Sequence, residues 1–286
     1  MSPHNVAMRV LASELDHPEG LCWHPDGFIL AGGEAGQIYR VQLDGTVKQI
    51  GDTGGSVLGL ATDGADQLLV CNLGRQALLR MSLSSGQVDV LSLGTETVPL
   101  RTPNTVTFGP DGTLYFTDSG TWDGDDGCVF AMDPEGRTRV WSTRVSSFPN
   151  GSAFDEAGNR LLVVESTGPG VTAIPVLADG SAGEPYVVVK LPGIVPDGVA
   201  LDRDGGILIA CYRPDAIYRY TTGDRRLEIL AADPRGTLLA APTNVAFIGD
   251  ELNMLATANL GRWHLTVLNP PVPGARMCHP TRVGIK

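Results

Sequence analysis

Five oxygen-bearing side chains follow a recurring proline, and their types and spacing could hold a metal ion. They are Glu19, Asn104, Asn150, Asp197 and Thr243. Two carboxylates and one amide carbonyl, from Glu19, Asn150 and Asp197, make a hard oxygen set that suits Ca²⁺, Mg²⁺ or Mn²⁺. Such a set leaves positions open for water and substrate. Asn and Asp before glycine also occur in ordinary turns, but three such residues at one position of a repeat favour a site.

An internal repeat carries these side chains. Its copies begin at positions 18, 57, 103, 149, 196 and 242, a period near 46 residues, and a second apolar phrase follows each first one. Each unit has room for four short strands, which is typical of propeller blades at this period. We therefore predict an all-β fold, a six-bladed β-propeller with four antiparallel strands per blade. The side chains that follow the prolines would then meet at one mouth of the central channel.

The two ends of the sequence predict how the ring closes. Residues 270–286 are rich in proline and are poor material for a strand, whereas residues around 7–15 resemble the outer strand of the other units. We predict that this N-terminal strand completes the last blade and so removes an open sheet edge. Residues 1–286 then form a single β-propeller domain with a C-terminal tail at 270–286.

Charge and cysteine content limit the kinds of partner and the cellular compartment that we expect for this protein. The net charge is −11 and no basic run occurs, which argues against a nucleic-acid partner and against anionic lipid. No apolar run approaches the length of a membrane span, so no membrane partner is expected. Four of the five cysteines lie in apolar runs and are predicted to be buried thiols, which indicates a reducing compartment, the cytoplasm. The oligomeric state is left open.

The phrases PEG, PNG and PDG, in this order, resemble those of the SMP-30/gluconolactonase/LRE family, which includes regucalcin. The resemblance covers residues from about 11 to 268 and implies a six-bladed propeller with one divalent cation at the channel mouth. Calcium is the first expectation, with Mg²⁺, Mn²⁺ or Zn²⁺ as alternatives. The metal ligands implied by the resemblance are Glu19, Asn150 and Asp197.

The same resemblance implies hydrolysis of lactones, mainly those of sugar acids. Asn104 matches an Asn of the family that contacts substrate or the metal's water. Arg101 resembles an Arg that binds substrate in some members, although the spacing here is Arg-x-x-Asn rather than Arg-x-Asn. A bound cation would polarise the ester carbonyl and activate a water, and Asp197 is the candidate to take the proton of that water. We predict Asp197 and Asn104 as the catalytic residues.

Three further residues end the second strand of their units and are predicted to bind substrate. They are Asp118, Glu165 and Tyr212. Each also has a structural alternative: Asp118 could belong to a turn, Glu165 could pair with an Arg, and Tyr212 could simply pack. The acidic, glycine-containing stretch at 121–129 is expected to be a solvated loop that could cover the mouth.

Two alternatives to a lactonase stay open. One is an esterase that resembles the paraoxonases, although the catalytic His pair of those enzymes is not found in this sequence. The other is a propeller that binds a metal or small ligand without catalysis, because a fold does not fix a function. The absence of a GxSxG or HExxH motif argues against a serine hydrolase and a zincin.

Overall fold

Four strands recur six times along residues 6–276, the part of the chain that the computed structural model describes. The first strand of each repeat pairs antiparallel with the second, and so on outward. The innermost strands are β2 (Leu21–His24), β6 (Val57–Thr62), β10 (Pro103–Phe108), β14 (Pro149–Phe154), β18 (Val195–Leu201) and β22 (Pro242–Ile248).

The remaining strands follow in the same order within each sheet. The second strands are β3 (Phe28–Gly32), β7 (Gln67–Asn72), β11 (Leu114–Asp118), β15 (Arg160–Glu165), β19 (Ile207–Arg213) and β23 (Met254–Asn259). The third strands are β4 (Gln37–Gln42), β8 (Ala77–Ser82), β12 (Cys128–Met132), β16 (Gly170–Pro175), β20 (Ala216–Thr221) and β24 (His264–Leu268). The outer strands are β5 (Val47–Asp52), β9 (Val88–Ser92), β13 (Thr138–Ser142), β17 (Tyr186–Lys190), β21 (Arg226–Ala232) and β1 (Met8–Ser13).

The six sheets form a ring around a channel, because each innermost strand contacts the innermost strand of the next sheet and the sixth contacts the first. We number the sheets as blades 1 to 6, beginning with β2–β5. The predicted six-bladed β-propeller is confirmed. No helix within residues 6–276 is long and apolar enough to cross a membrane.

Strand β1 closes the ring. It pairs antiparallel with β24, from Met8 opposite Leu268 to Ser13 opposite His264, and so supplies the fourth strand of blade 6. The predicted N-terminal closing strand is therefore confirmed. Of the predicted C-terminal tail, residues 270–276 run beside blades 5 and 6, where Gly274 N donates to Leu252 O. Residues 277–286 of that tail lie outside the described part of the chain.

Apolar side chains fill the space between adjacent blades. Leu69 and Cys71 of blade 2, for example, pack with Phe116 and Phe130 of blade 3. Because each sheet is covered on both faces, its strands are apolar runs rather than alternating ones. The cysteines of these strands are buried free thiols, as predicted, and burial raises the pKa of Cys22 to about 12. The fifth cysteine, Cys278, lies outside the described residues.

Adjacent innermost strands approach one another most closely at the mouth. We call the second residue of each repeat copy its slot residue; the six are Glu19, Leu58, Asn104, Asn150, Asp197 and Thr243. A methyl group on Gly151 would lie 2.5 Å from the Asp197 carbonyl oxygen, and one on Gly198 would lie 2.6 Å from that of Thr243. Only glycine leaves room for this contact, so these glycines set the spacing of the slot residues.

Thr105 and Asn244 stand at this position in blades 3 and 6, and there a threonine hydroxyl makes the contact with the next blade. The Thr117 hydroxyl donates to Asn150 O at 3.0 Å, between blades 3 and 4. The Thr243 hydroxyl donates to Glu19 O at 2.9 Å and so joins blade 6 to blade 1. The backbone beside the predicted ligands is therefore fixed by contacts with a neighbouring blade.

We expect Gly198→Ala to lower the free energy of unfolding by about 1–3 kcal/mol, because the added methyl group forces apart two packed innermost strands. Denaturant unfolding measures the change. Gly223→Ala is the matched control, since a methyl group there meets no atom within 4 Å, and it should change stability by less than about 0.5 kcal/mol. Equal stability of Gly198→Ala and wild type would contradict the close contact.

Candidate functional site

The slot residues lie together at one mouth of the channel. Every innermost strand runs in the same direction along the channel, so its beginning reaches the same end of the ring. The electrostatic interaction between Glu19 and Asp197 and the hydrogen bond between Asn150 and Asp197 show that blades 1, 4 and 5 bring these three side chains together. Residues far apart in sequence thus become neighbours at the mouth.

Two of the three are carboxylates withdrawn from bulk water. Burial raises the pKa of Glu19 to about 8, and the negative charge of Glu34 adds to this rise. Burial also raises the pKa of Asp197 well above its usual range, with a further rise from Glu19. No Lys or Arg among residues 6–276 forms an ion pair with either carboxylate. Carboxylate oxygens that lack a cationic partner are of the type that hard divalent cations take as ligands.

The Asn150 side chain is held so that its oxygen is available. Its Nδ2 donates to Ser166 Oγ at 3.1 Å, and Ser166 Oγ in turn donates to Pro196 O at 2.7 Å. The Asn150 amide also hydrogen-bonds the Asp197 carboxylate and lowers its pKa in opposition to burial. Within the described residues no donor contacts Asn150 Oδ1. This oxygen could serve as a ligand beside the two carboxylates.

Asn104 is nearly buried yet has no protein partner for its side chain. It is 6% exposed, and its amide makes no hydrogen bond to any residue in 6–276. The buried side-chain atoms without a partner among residues 6–276 are Arg40 Nε and Ser152 Oγ, so the amide of Asn104 is open to the channel rather than enclosed. Asn104 therefore has the chemistry of a group reserved for a ligand at the mouth.

Asp118 lies at the mouth end of its strand, opposite Pro103, with its carboxylate buried. The carboxylate accepts hydrogen bonds from three backbone amides, those of Arg101 at 2.6 Å, Thr102 at 3.1 Å and Gly120 at 3.0 Å. These bonds fix the segment that leads into Asn104. Its direct contact with substrate stays a prediction.

Glu165 holds the matching place in blade 4, opposite Pro149. Its carboxylate accepts from the Thr172 hydroxyl at 2.6 Å and from Ser147 N at 3.4 Å, while burial raises its pKa. The expected Arg partner is absent among the described residues, and a threonine takes that place. Glu165 thus fixes the segment before Asn150, and its contact with substrate stays a prediction.

The guanidinium of Arg101 is hydrogen-bonded to a loop. It donates to the Asp126 carboxylate and to the Asp126 carbonyl, both at 2.7 Å. Asp126 also accepts from Thr121 N at 2.8 Å, which closes the loop at 119–127 on itself. Arg101 therefore anchors the loop that the sequence suggested as a cover, and its role in substrate binding stays a prediction.

Tyr212 occupies the equivalent region of blade 5. The register there is irregular, because Val195 pairs with Arg213 and Pro196 pairs with Cys211. Tyr212 is half-buried, and the Arg213 guanidinium lies over its ring at 4.7 Å from the centroid. Its packing alternative is thus supported, while substrate binding stays a prediction.

Sequence reasoning missed the acidic rim beside Glu19. His17 Nδ1 lies 3.1 Å from both Asp16 and Glu34, and His17 Nε2 accepts from Trp263 Nε1 at 2.8 Å. Both ring nitrogens are therefore engaged within this cluster. Gly33 occupies in blade 1 the place that Asp118 occupies in blade 3, and Glu34 lies one residue further along, so comparing the residues just after all second strands would have found it.

Comparison with known families gives a match over most of the chain. A family model described as "SMP-30/Gluconolactonase/LRE-like region" matches residues 17–258. Among curated proteins, the protein STRICTOSIDINE SYNTHASE-LIKE 6 of Arabidopsis thaliana is 27% identical over 214 residues. That alignment covers 68% of this chain and 56% of the plant protein, so the chain spans little more than half the length of that relative.

Solved structures share the fold. A gluconolactonase from Xanthomonas campestris superposes with a TM-score of 0.79 at 21% identity, covering 95% of this chain and 96% of that one. Regucalcin from Agrobacterium tumefaciens, a calcium-binding protein, superposes with a TM-score of 0.78 at 18% identity, covering 96% and 97%. At these identities the likeness shows the same propeller architecture.

The raised pKa of Glu19 predicts that the metal-free protein loses stability as pH increases from about 4.5 to about 8. In this window the folded chain keeps a proton that the unfolded chain releases, so the folded state is progressively disfavoured. Glu19→Gln should remove part of this loss, on the order of 2 kcal/mol at pH 8, since one pKa unit is about 1.4 kcal/mol and channel water screens the charge.

Unfolding curves in a chelator across this pH range measure the effect. Glu251→Gln, a change of the same kind at an exposed residue, is the control and should follow the wild type. If Glu19→Gln and wild type change in parallel with pH, Glu19 is not withdrawn from water.

Proposed function

Because the chain belongs to the SMP-30/gluconolactonase/LRE-like family, we propose that it is a divalent-metal-dependent hydrolase that opens the ring of a lactone. The observation that carries the proposal is a set of oxygens at the mouth that pairs with no Lys or Arg among residues 6–276. Two unpaired carboxylates, Glu19 and Asp197, share the mouth with the free amide oxygen of Asn150. The gluconolactonase of similar fold supports the reaction class, and calcium-binding regucalcin supports the metal.

The donor set fits a divalent cation. Glu19, Asn150 and Asp197 would hold it with hard oxygens, and its charge would offset the burial and the repulsion that raise the pKa of both carboxylates. We expect Ca²⁺ first, with Mg²⁺, Mn²⁺ and Zn²⁺ as alternatives. A cation bound there supplies Lewis acidity, which polarises a carbonyl and lowers the pKa of a water.

The residues of the chain provide the remaining chemistry. Asp197 takes a proton from the water that attacks the lactone carbonyl carbon, because its carboxylate lies at the mouth beside Glu19 and Asn150, where that water would be held. The amide of Asn104 donates to the carbonyl oxygen as negative charge develops on it. The ring C–O bond then breaks, the ring oxygen receives the proton, and a hydroxy acid leaves.

The backbone contacts keep these groups in place during the reaction. The Asp197 carbonyl packs against Gly151, and the Asn150 carbonyl accepts from Thr117. Asp118 fixes the two residues that precede Pro103 and Asn104. Proton transfer and oxyanion binding both depend on such pre-set positions, because the donors need no reorganisation when charge develops.

We expect EDTA to abolish lactone hydrolysis and added Ca²⁺ or Mn²⁺ to restore it. Asp197→Asn should lower kcat by about 10²–10⁴, because the amide cannot accept the proton of the attacking water. Asp224→Asn, at an exposed position in the same blade, should keep kcat. A pH-indicator assay on a lactone panel follows the acid produced.

Two results would count against the proposal. Full kcat in Asp197→Asn would remove this carboxylate from the reaction. No ring opening of any lactone at saturating metal would instead favour a propeller that binds its ligand without turnover, and activity on aryl esters alone would favour an esterase.

A further inference from the structure

We propose that the site selects uncharged lactones with an apolar substituent, and that this substituent packs on Trp122 and Phe148. The inference rests on the proposed hydrolysis and names the class of its substrate. Three features of the mouth carry it: an aromatic pair beside the Asn150 strand, a guanidinium that is already neutralised, and an acidic rim.

The aromatic pair is held directly against the strand that presents Asn150. The Trp122 and Phe148 rings meet edge to face, with centroids 4.7 Å apart, and Trp122 remains 51% exposed. Phe148 immediately precedes Pro149 and Asn150 in the sequence. A half-exposed tryptophan next to a reactive site offers an apolar surface that a ligand can cover.

Several hydrogen bonds fix the loop that carries Trp122. At its start the Ser119 hydroxyl donates to Pro149 O at 2.8 Å, and at its end Gly127 N donates to Ser146 O at 3.1 Å. In between, the Ser147 hydroxyl donates to the Asp125 carboxylate at 3.0 Å. The loop is therefore bound at three points to the segment before Asn150, and Trp122 has a defined place at the mouth.

The guanidinium of Arg101, which is bound to the loop that carries Trp122, is already paired. Arg101 makes two hydrogen bonds to Asp126, one of them to the carboxylate. Hydrogen bonds from Thr121 and Arg101 lower the pKa of Asp126 to about 2, so the pair stays charged at any working pH. A substrate carboxylate or sulfate that approached the remaining N–H groups of Arg101 would therefore meet the negative charge of Asp126 beside them.

The opposite side of the mouth repels anions. Asp16 and Glu34 stand on the rim beside Glu19, and the whole chain carries a net charge of −11. A negative mouth lowers the local concentration of anionic substrates, and the effect grows with each added charge. An uncharged lactone meets no such barrier, and each methylene that it buries on the aromatic pair adds about fourfold in affinity.

The test uses γ-lactones that differ only in the group on one ring carbon. That group is hydrogen in γ-butyrolactone, a pentyl chain in the second lactone and a carboxylate in the third. Glucono-δ-lactone serves as the polyhydroxylated comparison. With Ca²⁺ or Mn²⁺ present, we expect kcat/KM to be at least tenfold higher for the pentyl than for the unsubstituted lactone. The carboxylate and the sugar lactone should be the poorest substrates.

Variants then test which residues determine the preference for the pentyl lactone. Trp122→Ala should lower the ratio of pentyl to unsubstituted kcat/KM at least tenfold, mainly through KM, because the lost contact is made in ground state and transition state alike. Leu177→Ala removes a side chain of similar exposure, 48%, at the far end of blade 4 and should leave every ratio unchanged. Arg101→Gln should leave the ratio of carboxylate to unsubstituted lactone within about twofold.

The outcomes separate this inference from the proposed function. Preference for the carboxylate or sugar lactone, or an equal loss on all substrates in Trp122→Ala with an unchanged unfolding curve, overturns the substrate class while lactone hydrolysis stands. A selective loss of the carboxylate substrate in Arg101→Gln overturns it too. If no lactone is opened, both proposals fail. Should Trp122→Ala unfold, Trp122→Gln retains part of the side-chain volume, replaces the aromatic surface with an amide and tests the same contact.

Discussion

The contact between each slot carbonyl and the preceding blade is the constraint on which the rest of the structure depends. Glycine provides it at Gly151 and Gly198, and a hydroxyl provides it at Thr117 and Thr243. Because these contacts leave no room for a larger group, they fix the distance between adjacent innermost strands. Side chains from separate sheets therefore project into one small space. Two of them, Glu19 and Asp197, carry like charge there, and their raised pKa values follow from that placement together with burial.

The polar groups at the mouth therefore lower the stability of the fold. Two half-buried carboxylates that lie close together without a cationic partner among residues 6–276 oppose folding, and the apolar contacts between blades must offset them. A second set of polar residues, one step outward, does the reverse. Asp118 and Glu165 satisfy backbone amides of the loops that lead to Asn104 and Asn150, so their charge supports the site without entering it. Polar groups at this end thus divide into those left free and those fully engaged.

Periodicity decides what could be predicted from the sequence. Residues that recur at a fixed period predict the six blades and the strand that closes the ring. The same period predicts that Glu19, Asn150 and Asp197 meet. The bond that Asp118 accepts from Arg101 N has counterparts at Glu165 and Asn259 in blades 4 and 6, so it also follows the repeat. The Arg101–Asp126 pair does not recur. It depends on the path of one loop, which no period specifies, and a charged side chain in a loop has several possible partners of equal sequence plausibility.

The hydrogen bond from Thr243 to Glu19 spans 224 positions of the chain and has a consequence for biosynthesis. Blade 1 is synthesised before blade 6, so the backbone of Glu19 gains this partner only when blade 6 emerges. Until then blade 1 lacks a neighbour on one side, and its innermost strand is open to other nascent chains. The slot residues thus reach their final arrangement in the same late event that closes the ring, and a chain without the last blade would not form it.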